Sequence, residues 1–420
     1  MASGPRKISP LLAAAALLAL GLGVLFVLRG DKRGPEPNPL LSDLGEKPDW
    51  PQLSRYDGVL TRARFEKALR EVYTLEGDWP CTIDDQKVVI DSALQPEGQV
   101  IRFARPGSEQ SPPRYWRPAG DLPPAAPGQP LSGLRIAIDP GHLGGDYARM
   151  EERWYRIGES APVTEGDMAL RTAHLLRPRL EALGAVVTLV RETSEPVTTT
   201  RPRHYRRYAA RKMPGAPAKE QQELAERLFY RTAEIRARAR LVNEKIKPDL
   251  ILCLHYNAEA WGGDPANPEF TAINHFHIIL HGAYMPGEIA HEDERFEMLH
   301  KIFQGTHEEE TAIARELVKT FAKETRLPAY LYRVDAPAIQ IGPALWARNL
   351  LANRLYNCPV LFLEPYVMNS ETVFERVQAG DYEGEREVDG KMRRSLYREY
   401  VDAVVGGLVN YYAPRRKSVQ

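Results

Sequence analysis

Cysteine is scarce in this chain: three residues, Cys81, Cys253 and Cys358, among 420. That excludes a small scaffold stapled by disulfides. Cys253 lies inside one apolar run and Cys358 just before another, which reads as buried thiols. Net charge is missing too, because 56 Lys plus Arg balance 56 Asp plus Glu. Nucleic-acid binders are ordinarily basic, so no nucleic-acid partner is expected. There is no internal repeat, and no long tract is disordered by charge. Apolar residues make up 43% of the chain, enough for a sizeable core, and the length suggests two or three domains.

One segment alone is apolar enough for a bilayer. It runs from about Pro10 to Leu28, after Arg6 and Lys7 and before Arg29, Lys32 and Arg33. About 19 residues of helix span ~28 Å, close to a hydrocarbon core. No small-residue cleavage site follows it, so residues 1–30 are expected to be a retained signal anchor, with removal after export as the alternative. Residues 31–52 read as a stiff Pro-rich tether. Residues 53–104 read as a small α+β domain: Thr61 caps a helix carrying Phe65, Leu69 and Val72, and Thr82–Asp91 and Gln99–Phe103 read as strands. Residues 105–133 form a second Pro-rich linker.

From residue 134 to 414 apolar strands alternate with helices, which predicts an α/β fold: a mostly parallel sheet with helices on both faces. The predicted helices include one from Glu165 to Leu183, with an approximate Thr164–Asp167 capping box and a kink at Pro178. Another runs over 219–247, a third over 309–325 and a last over 394–411. Chemistry-bearing residues punctuate the strands. Leu134–Asp139 leads through a Pro-Gly turn to His142; Asp249–Leu254 runs into His255; Pro359–Leu363 runs into Glu364. Glu165 opens the helix between them. In such sheets functional groups gather at the carboxyl ends of the strands. Two imidazoles and two carboxylates converging there would make a catalytic zinc site with a general base.

Each residue also has a plainer reading. His142 fits an idle turn, Glu165 complements the helix dipole, and His255 suits a core histidine. Glu364 is the hardest to dismiss, because an unpaired carboxylate ending an apolar strand is costly. His275, His277 and His281 lie on or beside one strand, and a solvated or substrate-facing sheet surface explains them better than a second metal site. His174 and His204 have no partner in sequence.

In order, these motifs resemble the zinc-dependent N-acetylmuramoyl-L-alanine amidases of bacterial cell-wall turnover. The resemblance rests on Ile138–His142, Glu165 in Val-Thr-Glu-Gly-Asp, His255-Tyr-Asn257, and Glu364 after Leu-Phe-Leu. It covers about residues 134–412. It implies a zinc ion (Zn2+) held by His142, Glu165 and His255, with Glu364 as general base and Asn257 orienting His255 or the substrate. It also implies cleavage of the amide between N-acetylmuramic acid and L-alanine. A zinc amidohydrolase on another peptide or amino-sugar amide remains open, as does a membrane-anchored peptidoglycan-binding regulator. Such a substrate would place the catalytic domain on the periplasmic side of the inner membrane, held by residues 10–28, with room for a regulatory partner protein. The sequence departs from the family after Glu364, where Pro365-Tyr-Val-Met-Asn369 replaces the usual apolar pair.

Two long connections stand out. Residues 195–219 are basic through Arg201, Arg203, Arg206, Arg207, Arg211 and Lys212. Residues 281–308 carry Glu292-Asp-Glu294 and end at Glu308, where a second acidic run continues to Glu310. Two readings stand for them: lids that gate the site, the acids pairing with the arginines when closed, or two solvated surface loops.

Overall fold

The computed structural model describes residues 35–75, 80–264 and 267–416. The expected anchor over residues 10–28 lies outside the described residues. Among the described residues, no helix is long and apolar enough to cross a membrane.

A seven-stranded sheet organises the molecule. In chain order its strands are β1 (Arg135–Pro140), β2 (Val186–Leu189), β3 (Leu250–Leu254), β4 (Phe276–Leu280), β5 (Ile339–Gly342), β6 (Leu345–Ala347) and β7 (Val360–Pro365). Across the sheet the order is β5-β6-β4-β7-β3-β1-β2. Strands β2, β1, β3 and β7 are mutually parallel. Strand β4 runs antiparallel to β7, β6 runs parallel to β4, and β5 pairs antiparallel with β6. The sheet is thus mixed and mostly parallel, with one reversed flank.

Both faces are covered, so the central strands are apolar throughout rather than alternating. Ile136, Ile138, Leu250, Leu252, Leu254, Ile278, Leu361 and Leu363 point into one core with helices α1 (Glu165–Ala182), α3 (Thr306–Thr325) and α4 (Leu396–Tyr412). Ala137, Ile251, Cys253, Ile279, Val360 and Phe362 point to the other face, where Ala239, Val242 and Tyr356 meet them. Continuing that second set by steps of two reaches His255, Glu364 and His277. Strand pleat alone therefore brings these three to one face.

The long predicted helix forms as consecutive α and π segments, Ala218–Arg227, Leu228–Ala233, Glu234–Arg240 and Leu241–Ile246. Helix α1 continues through Pro178 to Ala182. The expected capping box takes another form, because the Thr164 side chain caps no backbone N–H. Its hydroxyl instead bonds the Asp167 carboxylate, which accepts the Gly145 N–H at 3.0 Å. The helix start is thereby tied to the turn that follows β1.

Residues 50–103 form a helix over Arg62–Ala68 and a three-stranded antiparallel sheet, Cys81–Ile83, Lys87–Ile90 and Gln99–Arg102. Their core, with Trp50, Leu53, Tyr56, Phe65 and Ile101, is shared with Met298, Leu299, Ile302 and Phe303. Those four belong to α2 (Glu292–Gln304), so the 281–308 connection is a packed platform for the N-terminal segment rather than a loose lid. The expected pairing of its acids with the basic insertion is corrected as well. Glu292 accepts from Trp50 Nε1 at 3.1 Å and from the Ala93 N–H at 2.7 Å, Asp293 pairs with Arg236 at 3.2 Å, and Glu294 pairs with Arg354. Farther on, Glu308 pairs with Arg64, and Glu310 accepts the Val360 N–H at 3.0 Å. All three acids of the 292–294 run are buried and used inside the fold.

The basic insertion is folded too. It contains a 3-10 turn, Pro202–Tyr205, and a short helix, Arg206–Lys212. Tyr205, Tyr208 and Ala209 pack with Leu224, Leu228, Phe229 and Leu143, the residue after His142. Lys212 pairs with Asp43 at 2.9 Å, and Arg211 with Glu36. Its apolar side buttresses the site turn, and its charges meet the segment before Trp50.

Candidate active site

The turn after β1 delivers His142. Its φ is +53°, a left-handed conformation that costs an L-residue about 1–2 kcal/mol. Two buried arginines hold it there. Arg191 donates to the carbonyls of Pro140 at 3.2 Å and Gly141 at 3.1 Å. Arg238 donates to Pro140 O at 3.0 Å and to His142 O at 3.2 Å. Its charge is balanced by Asp139 at 2.9 Å and Glu234 at 2.7 Å. Gly141 is required between them by space: a Cβ there would lie 2.2 Å from Cε1 of the His255 ring.

Glu165 is 2% exposed at the first position of α1. Its Oε2 lies 3.2 Å from His142 Nε2, and its Oε1 lies 2.9 Å from His255 Nδ1. Oε1 also accepts the Tyr256 N–H at 3.2 Å, and Arg153 Nε sits 3.2 Å from Oε2. Burial opposes ionisation of Glu165, but the two imidazoles and Arg153 outweigh it and hold the carboxyl down to about 2. Burial pushes His142 down to about 3, keeping that imidazole neutral. Burial acts the same way on His255, yet the Glu165 hydrogen bond prevails and raises it. The His255 ring stacks on Phe362 at 4.0 Å, which fixes its plane.

One ligand atom from each of His142, Glu165 and His255 lies within 4.8 Å of the others. Bonds of ~2.0–2.2 Å in a tetrahedral zinc site put ligand atoms roughly 3.4 Å apart. The set is therefore near the required spacing, already converges, and combines an ionised carboxylate with a neutral imidazole. The residues fit a zinc ion.

Glu364 lies on β7 two residues beyond Phe362, and it faces the same cleft of about 520 Å³ as the triad. Burial raises its carboxyl to about 7; Glu165 adds to this, while His255, Arg153 and Arg348 oppose it. A carboxyl titrating near neutrality is matched to proton transfer at that pH. Asn257 also lines the cleft; its side-chain oxygen accepts the Ala258 N–H at 2.7 Å.

The three outlying histidines are buried, at 0–3% exposure, rather than solvated. His275 meets Glu259 at 2.9 Å and His281 meets Tyr284 at 2.7 Å, while His277 lines the cleft opposite Glu364 in register. His174 and His204 do find partners, at Glu192 O and the Arg201 N–H.

Sequence reasoning missed Glu151, Arg191 and Arg238. Glu151 Oε2 accepts the Leu143 N–H at 2.8 Å, which ties it to the residue after His142, and lies 3.8 Å from His142 Nδ1. It sits in a turn with no periodic signal. Arg238 was discoverable, since it adjoins Ala239 on the helix face that packs on the sheet.

Comparison with known proteins gives the family. The family model described as N-acetylmuramoyl-L-alanine amidase matches residues 136–385. Among solved structures, the N-acetylmuramyl-L-alanine amidase Ami1 from Mycobacterium smegmatis is 14% identical, over 68% of this chain and 99% of that chain, with a TM-score of 0.37. The N-acetylmuramoyl-L-alanine amidase AmiC2 of Nostoc punctiforme is 15% identical, over 67% of this chain and 98% of that one, with a TM-score of 0.36. No curated protein matches the chain. Since the family model spans more than half of the sequence, the chain belongs to the N-acetylmuramoyl-L-alanine amidases, the enzymes of bacterial cell-wall turnover.

Proposed function

We propose that this amidase is zinc-dependent and cleaves the amide joining the lactyl carbonyl of N-acetylmuramic acid to L-alanine. The observation that carries this reading is the convergence of His142, Glu165 and His255 in one cleft with Glu364. When bound by those three residues, zinc supplies a Lewis acid that lowers the pKa of water and polarises the scissile carbonyl. Glu364 accepts a proton from the attacking water as the new C–O bond forms. It then passes that proton to the alanine nitrogen as the C–N bond breaks, leaving a carboxylic acid and a free amine. Glu165 stays ionised throughout, supported by the Tyr256 N–H.

Asn257, on the cleft wall beside His255, contacts the substrate in this reading. The catalytic domain works on the outer side of the membrane, where its substrate lies, with residues 10–28 as its anchor. The test is digestion of a defined muropeptide by the zinc-loaded protein, read by mass spectrometry. A new N-terminal L-alanine on the peptide and an intact lactyl carboxylate on the sugar are expected. Cleavage at any other bond, or turnover undiminished after chelation of the metal, would contradict the reading.

A further inference from the structure

Four arginines reach the cleft, and three have evident employment or none that is fixed. Arg153 sits on Glu165, Arg238 belongs to the buried network behind His142, and Arg231 is exposed. Arg348 differs. It is half-buried, it lines the cleft, and it makes no salt bridge among the described residues. Its backbone is fixed, because its N–H donates to Leu280 O at 2.9 Å and its carbonyl accepts from Asn353 at 3.1 Å. Its guanidinium is aimed as well. Nη1 donates to Tyr332 Oη at 3.4 Å, and the guanidinium carbon lies 5.7 Å from the centre of that ring.

Tyr332 is in turn held from two sides. Its hydroxyl lies 3.3 Å from His277 Nε2, and its ring meets Trp346 edge-on at 5.0 Å. Tyr330 packs beside it over His277, with ring centres 4.8 Å apart. A cation partly withdrawn from water, oriented by an aromatic shelf and with no carboxylate at salt-bridge distance among the described residues, is a ready receptor for a ligand carboxylate. We propose that Arg348, oriented by Tyr332, binds a free carboxylate on the peptide part of the substrate and so selects acidic stem peptides.

The proposal rests on the amidase reading above and extends it along the cleft. From β3, which carries His255, to β6, which precedes Arg348, there are three strand spacings. At ~4.8 Å each that is about 14 Å, and extended peptide covers about 3.3 Å per residue. That is about four residues of extended peptide, so the bound carboxylate lies up to about four residues beyond the scissile amide. A rival role exists for the same cation, since Arg348 also lowers the proton affinity of Glu364. That role would alter turnover of every substrate alike, whereas a carboxylate receptor discriminates between substrates.

The experiment uses two synthetic N-acetylmuramoyl-tripeptides beginning with L-alanine. One has its later carboxylates free, and the other has them as carboxamides. Both are given to the zinc-loaded wild-type protein and to Arg348→Gln, Arg348→Lys and Tyr332→Phe, with a thermal melt of each variant. Losing one charge-assisted hydrogen bond of ~1.5–3 kcal/mol corresponds to roughly 10–150-fold. The wild type is expected to favour the free peptide about 10-fold or more in kcat/KM, chiefly through KM. Arg348→Gln should bring the two substrates within about threefold, with Arg348→Lys and Tyr332→Phe in between. A wild-type ratio near one overturns the proposal. So does a ratio that Arg348→Gln leaves intact while slowing both substrates equally, which would assign the residue to Glu364. If the wild type cleaves neither tripeptide, the amidase reading itself fails and takes the proposal with it.

Discussion

Gly141 and His255 are packed so closely that any side chain at 141 collides with the imidazole: an added Cβ falls 2.2 Å from Cε1 and 2.3 Å from Nε2. The turn that presents His142 and the strand that presents His255 are thus set against each other by a missing methyl group. Gly141→Ala is expected to displace the His255 ring while leaving the remote core intact. Zinc affinity should fall by about 10–100-fold, the usual scale for disturbing the support of a metal ligand. Competition of the variant against a calibrated chelator measures this, and wild-type affinity would show that the ring has room to yield.

Glu364→Gln is expected to keep its zinc and its fold and to lose about 10²- to 10⁴-fold in kcat, the usual contribution of general acid–base catalysis. Steady-state kinetics on a muropeptide, with metal content measured on the same sample, decides this. Turnover near the wild-type rate would remove Glu364 from the proton-transfer role.

Arg238→Met is expected to destabilise the protein by about 3–5 kcal/mol, because Asp139 and Glu234 are left buried without their cation. The carbonyls of Pro140 and His142 lose a donor as well. Denaturant unfolding checks the magnitude. A loss below about 1 kcal/mol would mean that the turn is held by Arg191 alone.

Asp249 joins the Pro-rich segment to the sheet, pairing with Arg117 and Arg135 at 2.6 Å each. Burial opposes its ionisation, but hydrogen bonds from both arginines prevail and lower its pKa below 3.8. A carboxyl depressed in the folded state contributes stability above its unfolded pKa, and that stability is lost as pH falls through the folded value. Asp249→Asn should therefore be clearly less stable than wild type at pH 6, and the gap should narrow below about pH 4. Urea titrations of both proteins across that range test it; a gap constant with pH would contradict the assignment.

Much of this was legible in the sequence because it depends on local period and order. The apolar runs into His255 and Glu364, and the Asp-Pro-Gly turn before His142, mark strand ends without reference to anything distant. The step of two along β3 and β7 also fixes which face those side chains share. What escaped depends on contacts between remote segments. Glu292, Asp293 and Glu294 look like a solvated acidic run, yet Trp50, Arg236 and Arg354 lie far away in sequence and draw them inside. The reversal of β4 was hidden for a similar reason, since a buried strand reads the same in either direction. The sequence of the basic insertion shows its arginines, while Tyr205 and Tyr208 gain meaning only once Leu143 and Phe229 are beside them.

The most direct test of the account is the zinc content of the purified protein, measured beside His142→Ala, Glu165→Ala and His255→Ala. One zinc per wild-type chain is expected, with occupancy falling sharply in each variant while the melting curve shows a folded protein. Full occupancy in all three variants, or a wild type that hydrolyses muropeptides without metal, would contradict it.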